Sequence, residues 1–171
     1  MTYAVFFDVL PKKGFVDAYF GMAAGLKSMV EKVPGFISVE RFENLALPGW
    51  FLSFSQWADE DALRAWRNQR DHHQAQLCGR NLILRDYRLR VGKQIEIESL
   101  ESGKAVITAI SGDVSSIEEI TKNSKTLQAN SPRVFQGVIN QDRAIALYED
   151  QSAISIFNSL ADIETSRKFD L

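Results

Sequence analysis

Trp50-Phe51-Leu52-Ser53-Phe54-Ser55-Gln56-Trp57 reads as a strand in which neither side is polar. Successive side chains of an extended chain point to opposite faces. Phe51, Ser53, Ser55 and Trp57 therefore share one face, and Trp50, Leu52, Phe54 and Gln56 the other. Large apolar groups stand on both. A sheet built around such a strand needs cover on two sides, and helices connected to it on one side supply only half of that.

Outward from this strand, Ala58-Asp59-Glu60-Asp61 opens a helix, its carboxylates complementing the positive end of the helix dipole. Ala62, Leu63 and Trp66 supply the apolar side. The spacing predicts a kink between Asn68 and Asp71, with Asp71 capping a continuation. Upstream, Tyr3 to Leu10 is β-branched and aromatic, a strand ended by Pro11-Lys12-Lys13-Gly14. Phe15, Tyr19, Met22, Leu26, Met29 and Val33 recur in steps of four and three residues, one face of a helix. Gly21 and Gly25 weaken that helix and are expected to permit close packing on a sheet. Pro34-Gly35 stops it, and Phe36 to Phe42 is a second strand. Leu82 to Val91 is a fourth, with Tyr87, Leu89 and Val91 alternating against Arg88 and Arg90. The order β-α-β-β-α-β predicts a ferredoxin-like α+β unit, two helices on one face of an antiparallel sheet.

Glu98 to Lys104 reads as a linker, which divides the chain into domains 1–97 and 104–171. The second repeats the pattern. Ala105 to Ile110 is a strand and Ser115 to Gln128 a helix. Val134 to Ile139 and Arg143 to Tyr148 form a hairpin around Asn140-Gln141-Asp142, and Ser152 to Phe169 is a final helix. Gln56 to Trp66 aligns with Leu147 to Phe157, aromatic on aromatic at Trp57/Tyr148 and Trp66/Phe157. This supports a degenerate duplication. A lone unit would expose the second face of its sheet, which soluble monomers avoid. Two such sheets packed face to face as an α+β barrel remove the problem, either within one chain or between two. A closed space between the sheets is the expected ligand pocket.

Composition excludes several classes. The net charge of -2 favours neither nucleic acid nor an anionic membrane. No apolar run approaches the ~20 residues of a membrane span. The first residues lack the basic region and cleavage site of a secretory signal. Cys78 is the single cysteine, so no intrachain disulfide forms, and the expected setting is cytoplasmic.

Val33-Pro34-Gly35-Phe36-Ile37-Ser38-Val39-Glu40-Arg41-Phe42 and Leu52 to Ala62 resemble the antibiotic biosynthesis monooxygenase family. So does the run Ala65-Trp66-Arg67-Asn68, His72, Gln76, Gly79-Arg80 and Asp86-Tyr87-Arg88. The resemblance spans roughly residues 3 to 92. It implies a dimeric α+β barrel, hence a homodimer as one expectation, and a family that includes cofactor-independent oxygenases of polycyclic phenols and heme-degrading enzymes. The phenol oxygenases use an asparagine, a tryptophan and a tyrosine. Here Trp57 keeps the tryptophan, while Ser53 and Leu63 stand at the other two positions. The heme degraders need a helix tryptophan, which Trp66 supplies, and a histidine where this chain has Gln76; no asparagine lies on the first strand.

His72 and His73 are the only histidines, and on one helix they point about 100° apart, so at most one faces a given pocket. An unbroken helix puts His73 on the Trp66 side, whereas a kink near Asn68 turns His72 inward. A histidine of near-neutral pKa can ionise a phenol; a surface or capping role is the plainer reading. Trp57 and Trp66 can stack on a flat substrate or simply fill the core. Arg67, Arg80, Arg88 and Arg90 can hold an anion, or be solvated and weakly paired. The expected site comprises His72, Trp66 and Trp57 for chemistry and Asn68, Gln76, Phe7, Ser53 and Tyr87 for substrate contact. The expected reaction is a monooxygenation of a small aromatic or quinone-like compound without metal or organic cofactor. The alternatives are a non-catalytic ligand-binding or stress-related protein and, third, a heme-binding or heme-degrading one.

Overall fold

The structure, a computed structural model, describes residues 2–95, 105–126, 132–149 and 166–170. The first half runs β1 (Tyr3–Pro11), α1 (Val16–Val30), β2 (Phe36–Asn44), β3 (Phe51–Trp57), α2 (Glu60–Asn68), α3 (Arg70–Cys78), a π-helical turn (Gly79–Ile83) and β4 (Leu84–Gln94). The second half contributes β5 (Val106–Asp113), α4 (Val114–Thr126), β6 (Arg133–Gly137), β7 (Arg143–Tyr148) and β8 (Ser166–Asp170). All pairings are antiparallel, and the strands close into one barrel in the order β1-β3-β2-β6-β7-β5-β8-β4.

Two connections join the halves. β2 pairs with β6 through Phe42 opposite Gly137 and Asn44 opposite Phe135, and β8 bridges β4 and β5. This corrects the expected helix over Ser152 to Phe169. Its last residues are strand, because closing the barrel leaves the edges of β4 and β5 a hydrogen-bonding partner to find; residues 150–165 lie outside the described residues, as does the expected linker.

The barrel interior is the principal core. Ala4, Phe6, Phe42, Leu52 and Phe54 from the first half meet Ile107, Ala109, Phe135, Ile145 and Leu147 from the second. These are the inward sets of their strands, and their burial is nearly complete. The second faces of the two sheets thus cover each other inside one chain. The expected pocket between the sheets is not there, since phenylalanine and aliphatic side chains fill it.

One end of the interior carries charge. Asp8 pairs with Arg90 and with Arg133 at 2.8 Å, and Glu149 receives Arg90, Arg133 and, at 3.0 Å, Arg88. The Arg90 guanidinium also lies over Phe6 at 5.7 Å and that of Arg133 over Phe135 at 5.3 Å. Arg90 is therefore not the weakly paired surface residue its sequence context suggested, for β4 alternates and its even positions point into the barrel. Burial pushes the Glu149 carboxyl up, but Arg133, Arg90 and Arg88 more than offset this and hold it below the usual carboxylate range.

On the outer side, Gly35 takes φ +85°, and a Cβ there would meet the Ala62 Cβ at 2.6 Å, so the turn after α1 needs glycine. Its carbonyl accepts the Ala58 N–H at 2.7 Å, which seats the start of the next helix. Gly21 and Gly25, by contrast, are exposed with open space around them, so they do not serve close packing.

Replacing Arg90 by Gln leaves the buried Asp8 with less compensation, and an expected loss of about 3–5 kcal/mol follows from stranding a buried charge. Phe54→Ala should cost a similar amount, about 3–5 kcal/mol, through lost burial and a cavity. Urea unfolding of both variants measures the two values; changes under 1 kcal/mol would show that neither group holds the halves together.

Candidate active site

The site is read from the helix-facing side of the first half's sheet, where the register places side chains in rows. One row crosses the sheet as Arg41, Ser53, Phe7 and Leu89, and the next as Val39, Ser55, Val5 and Val91. Apolar clusters close both ends. At one, Val9, Tyr19, Phe51, Ile83 and Leu84 pack with Phe7, Phe20, Met22 and Cys78. At the other, Val30, Trp57 and Ala62 pack with Tyr3, Val5, Phe36, Leu63 and Trp66. Between them lie two hydroxyls and an arginine on the sheet, all half-buried, with Leu89 and Val91 exposed beside them.

The helix above is broken in a way that builds a geometry of its own. Residues six apart on a continuous helix point about 120° away from each other. Gln69, at φ -62° and ψ 132°, interrupts the helix between α2 and α3. Its Oε1 accepts the His72 N–H at 2.7 Å, and its Nε2 donates to Asp71 at 3.0 Å. The cap of the second segment is thus Gln69 rather than the expected Asp71. The break folds His72 back onto Trp66, rings stacked at 4.2 Å and 12°, and leaves His73 exposed.

His72 Nδ1 lies 2.8 Å from the Trp66 carbonyl oxygen. A carbonyl only accepts, so Nδ1 carries the proton and Nε2 presents a lone pair. Burial lowers the His72 pKa; the bond to the Trp66 carbonyl works in the opposite direction, and His73 adds to the lowering. The ring is neutral at pH 7. The Gln76 Nε2 sits 3.4 Å from both ring nitrogens. Under Trp66 lies Trp57, 6.4 Å away and buried, its Nε1 donating to Ser55 Oγ at 3.0 Å.

The anticipated residues therefore fall into two groups. His72, Trp66, Trp57 and Gln76 form one continuous stack. Phe7 and Tyr87 form another, with ring centroids 5.9 Å apart, and Ser53 lies beside Phe7 in the register. Asn68 is exposed at the end of α2 and stands apart from both. Three polar groups were not anticipated. Ser55 anchors Trp57. Tyr19 is buried on α1 with its hydroxyl hydrogen-bonded to Arg41; burial raises its pKa and Arg41 draws it back. Strand alternation was the available signal, since Arg41 and Ser55 lie on the same face as Ser53. In the sequence Tyr19 is one member of an apolar helical stripe, with nothing local to mark its hydroxyl.

Residues 2–76 match the family of antibiotic biosynthesis monooxygenase domains. The match falls within the first half of the chain, an antibiotic biosynthesis monooxygenase (ABM)-like region. The jasmonate monooxygenase ABM of Pyricularia oryzae is 42% identical over 91 residues, which are 53% of this chain and 42% of that protein. The chain thus matches less than half the length of that relative. Among solved structures, Rv0793 of Mycobacterium tuberculosis is similar over 58% of this chain and all of its own, at 16% identity and TM-score 0.51. A protein of Lactobacillus acidophilus NCFM is similar over 98% of this chain and 92% of its own, at 8% identity and TM-score 0.51. At these identities the two structures bear on the fold alone, an α+β barrel. No described helix is long and apolar enough to cross a membrane.

The ABM-like region has a pH signature that follows from His72. Its folded pKa lies below the ordinary 6.5, so as pH falls the unfolded chain takes up the proton first. Stability contributed by this site is full above about pH 6.5 and declines below it. His72→Gln should flatten the stability-against-pH curve on the acid side of pH 6.5, measured by urea unfolding at several pH values. An unchanged slope would show that the ring is solvated.

Proposed function

We propose that the ABM-like region is a monooxygenase for small, flat, ionisable aromatic compounds, with His72 as the base. The observation that carries this reading is the state of His72: neutral, half-buried, fixed through Nδ1 and stacked on Trp66, with Nε2 left to accept a proton. In this mechanism the substrate lies across Ser53, Phe7 and Leu89, with Trp66 and Tyr87 at its borders and Gln76 beside the base. Trp57 supports Trp66 from below.

His72 Nε2 removes a proton from a phenol or an activated CH₂ group. The resulting anion passes one electron to O₂, the two radicals join at carbon, and loss of water from the hydroperoxide leaves a carbonyl. The balance is R₂CH₂ + O₂ → R₂C=O + H₂O, so the substrate supplies every electron and no further reductant is required. The protein orients the substrate and excludes water. The name of the Pyricularia relative supports oxygenase chemistry in general. Ser53 and Leu63, at positions where the phenol oxygenases of the family carry asparagine and tyrosine, favour a second reading, a binding protein that retains the fold and not the reaction.

Oxygen uptake with a panel of anthrones and hydroquinones separates the two. Turnover is expected in wild type, about 100-fold slower in His72→Ala, the usual weight of a general base, and unchanged in His73→Ala. The rate should hold steady above about pH 6.5 and fall in acid as Nε2 protonates. Binding of the panel without oxygen uptake would establish the second reading. Turnover insensitive to His72→Ala would remove His72 from the chemistry.

A further inference from the structure

Arg41 stands out among the arginines of the structure. Arg90 and Arg133, also drawn inside, are each committed to two carboxylates. Arg41 has no ion pair among the described residues, while its Nε–H, like those of Arg90 and Arg133, is shut away from solvent with no hydrogen-bond partner. One of its remaining N–H groups goes to the Tyr19 hydroxyl, and the Ser53 hydroxyl lies beside it in the register. A buried donor without an acceptor is uncommon in a native fold.

Arg41 also lines a cleft of about 310 Å³ at the seam between the two halves, with Val39 and Glu40 from β2 and Gly137, Ile139, Asn140 and Arg143 from the β6–β7 hairpin. Here β2 runs on past its short pairing with β6, and the hairpin folds back over it, held by the Val138 N–H on the Arg41 carbonyl at 2.9 Å. The one carboxylate in this lining, Glu40, is taken by Arg143 at 3.3 Å. That pair cancels, and the charge of Arg41 is left over. Val39 and the exposed Ile139 give the cleft apolar walls. The volume is at the small end of ligand pockets.

We propose that this seam cleft binds a small organic acid, its carboxylate on the Arg41 guanidinium and its apolar body against Val39 and Ile139. The guanidinium offers the planar fork that a carboxylate matches, and Asn140 lies at the rim. This site adjoins the proposed substrate surface at Ser53 but does not include the His72 stack and does not require the oxygenase chemistry. It assigns the second half a part in recognition, because the hairpin supplies one wall.

Calorimetric titration with 1-naphthoate, cyclohexaneacetate and octanoate tests it, with the primary amide of each acid as the neutral control. At least one acid should bind, and its amide about tenfold more weakly or worse. Arg41→Gln should lose about tenfold in acid affinity, Arg41→Lys less, since an ammonium keeps the charge without the fork. The Arg41 Nε–H resonance should shift on titration of the wild type. His72→Ala should bind the acid as wild type does, so loss of turnover and loss of this site are distinguishable. Equal affinity for acid and amide, an Arg41→Gln variant that binds unchanged, or no binding of any of the three acids at millimolar concentration overturns the proposal. If Arg41→Gln does not fold, the acid–amide comparison and the resonance shift in wild type decide it.

Discussion

The inner faces of two antiparallel sheets have to be dry, and in this protein each is the only surface available to dry the other. Phe6, Phe42, Leu52 and Phe54 have no helix to hide behind, because the helices of their own unit lie on the opposite side of the sheet. Ile107, Phe135, Ile145 and Leu147 are in the same position in the second half. Their mutual burial sets the distance and rotation between the halves and brings β2 beside β6 and β4 beside β8. The charged cluster at one end of this interior follows from that packing. Asp8 and Arg90 can be kept away from water only because Arg133 and Glu149 arrive from the other half to complete the set.

A filled interior moves the chemistry outward. With phenylalanines occupying the space between the sheets, the places left for a ligand are the helix-facing sides and the seams. The two helix-facing sides differ. In the second half, Ile110, Ile117, Ile120, Ala144, Ala146 and Tyr148 form an apolar cluster under α4. In the first, hydroxyls and an arginine interrupt the apolar surface, and α3 has no buried residue of its own. The second half is thus tightly packed under its helix, and the first keeps half-buried polar groups there. Trp57 and Tyr148, which the sequence alignment of the halves pairs, are both buried at the ends of their strands. Above Trp57 comes the stack of Trp66 and His72.

Much of the fold could be read from periodicity. The two-sided strand Trp50 to Trp57, the turn at Pro34-Gly35, the β-α-β-β-α-β order of the first half and the β-α-β-β order of the second were legible, because alternation and helical spacing are local properties of a chain. The break between Asn68 and Asp71 was legible too, and with it the possibility that His72 turns inward. The final strand was not. Ser166 to Asp170 has no strong pattern of its own and becomes a strand because two open edges flank it. Arg90 was misjudged for a related reason, since a charge alternating with apolar residues reads as a solvated face until its counter-ions come from 59 and 82 residues away.

The sequence by itself determined the α+β class, the need of each sheet for a partner, and the likeness of the first half to one family. These rest on side-chain spacing and on motifs contiguous in the chain. Tertiary structure alone decided that the partner lies in the same chain, that the interior is filled, that His72 rather than His73 meets Trp66, and that Arg41 has no counter-ion among the described residues. Each of these depends on which distant groups meet in space, and a free energy of burial or pairing belongs to the meeting and not to either residue alone.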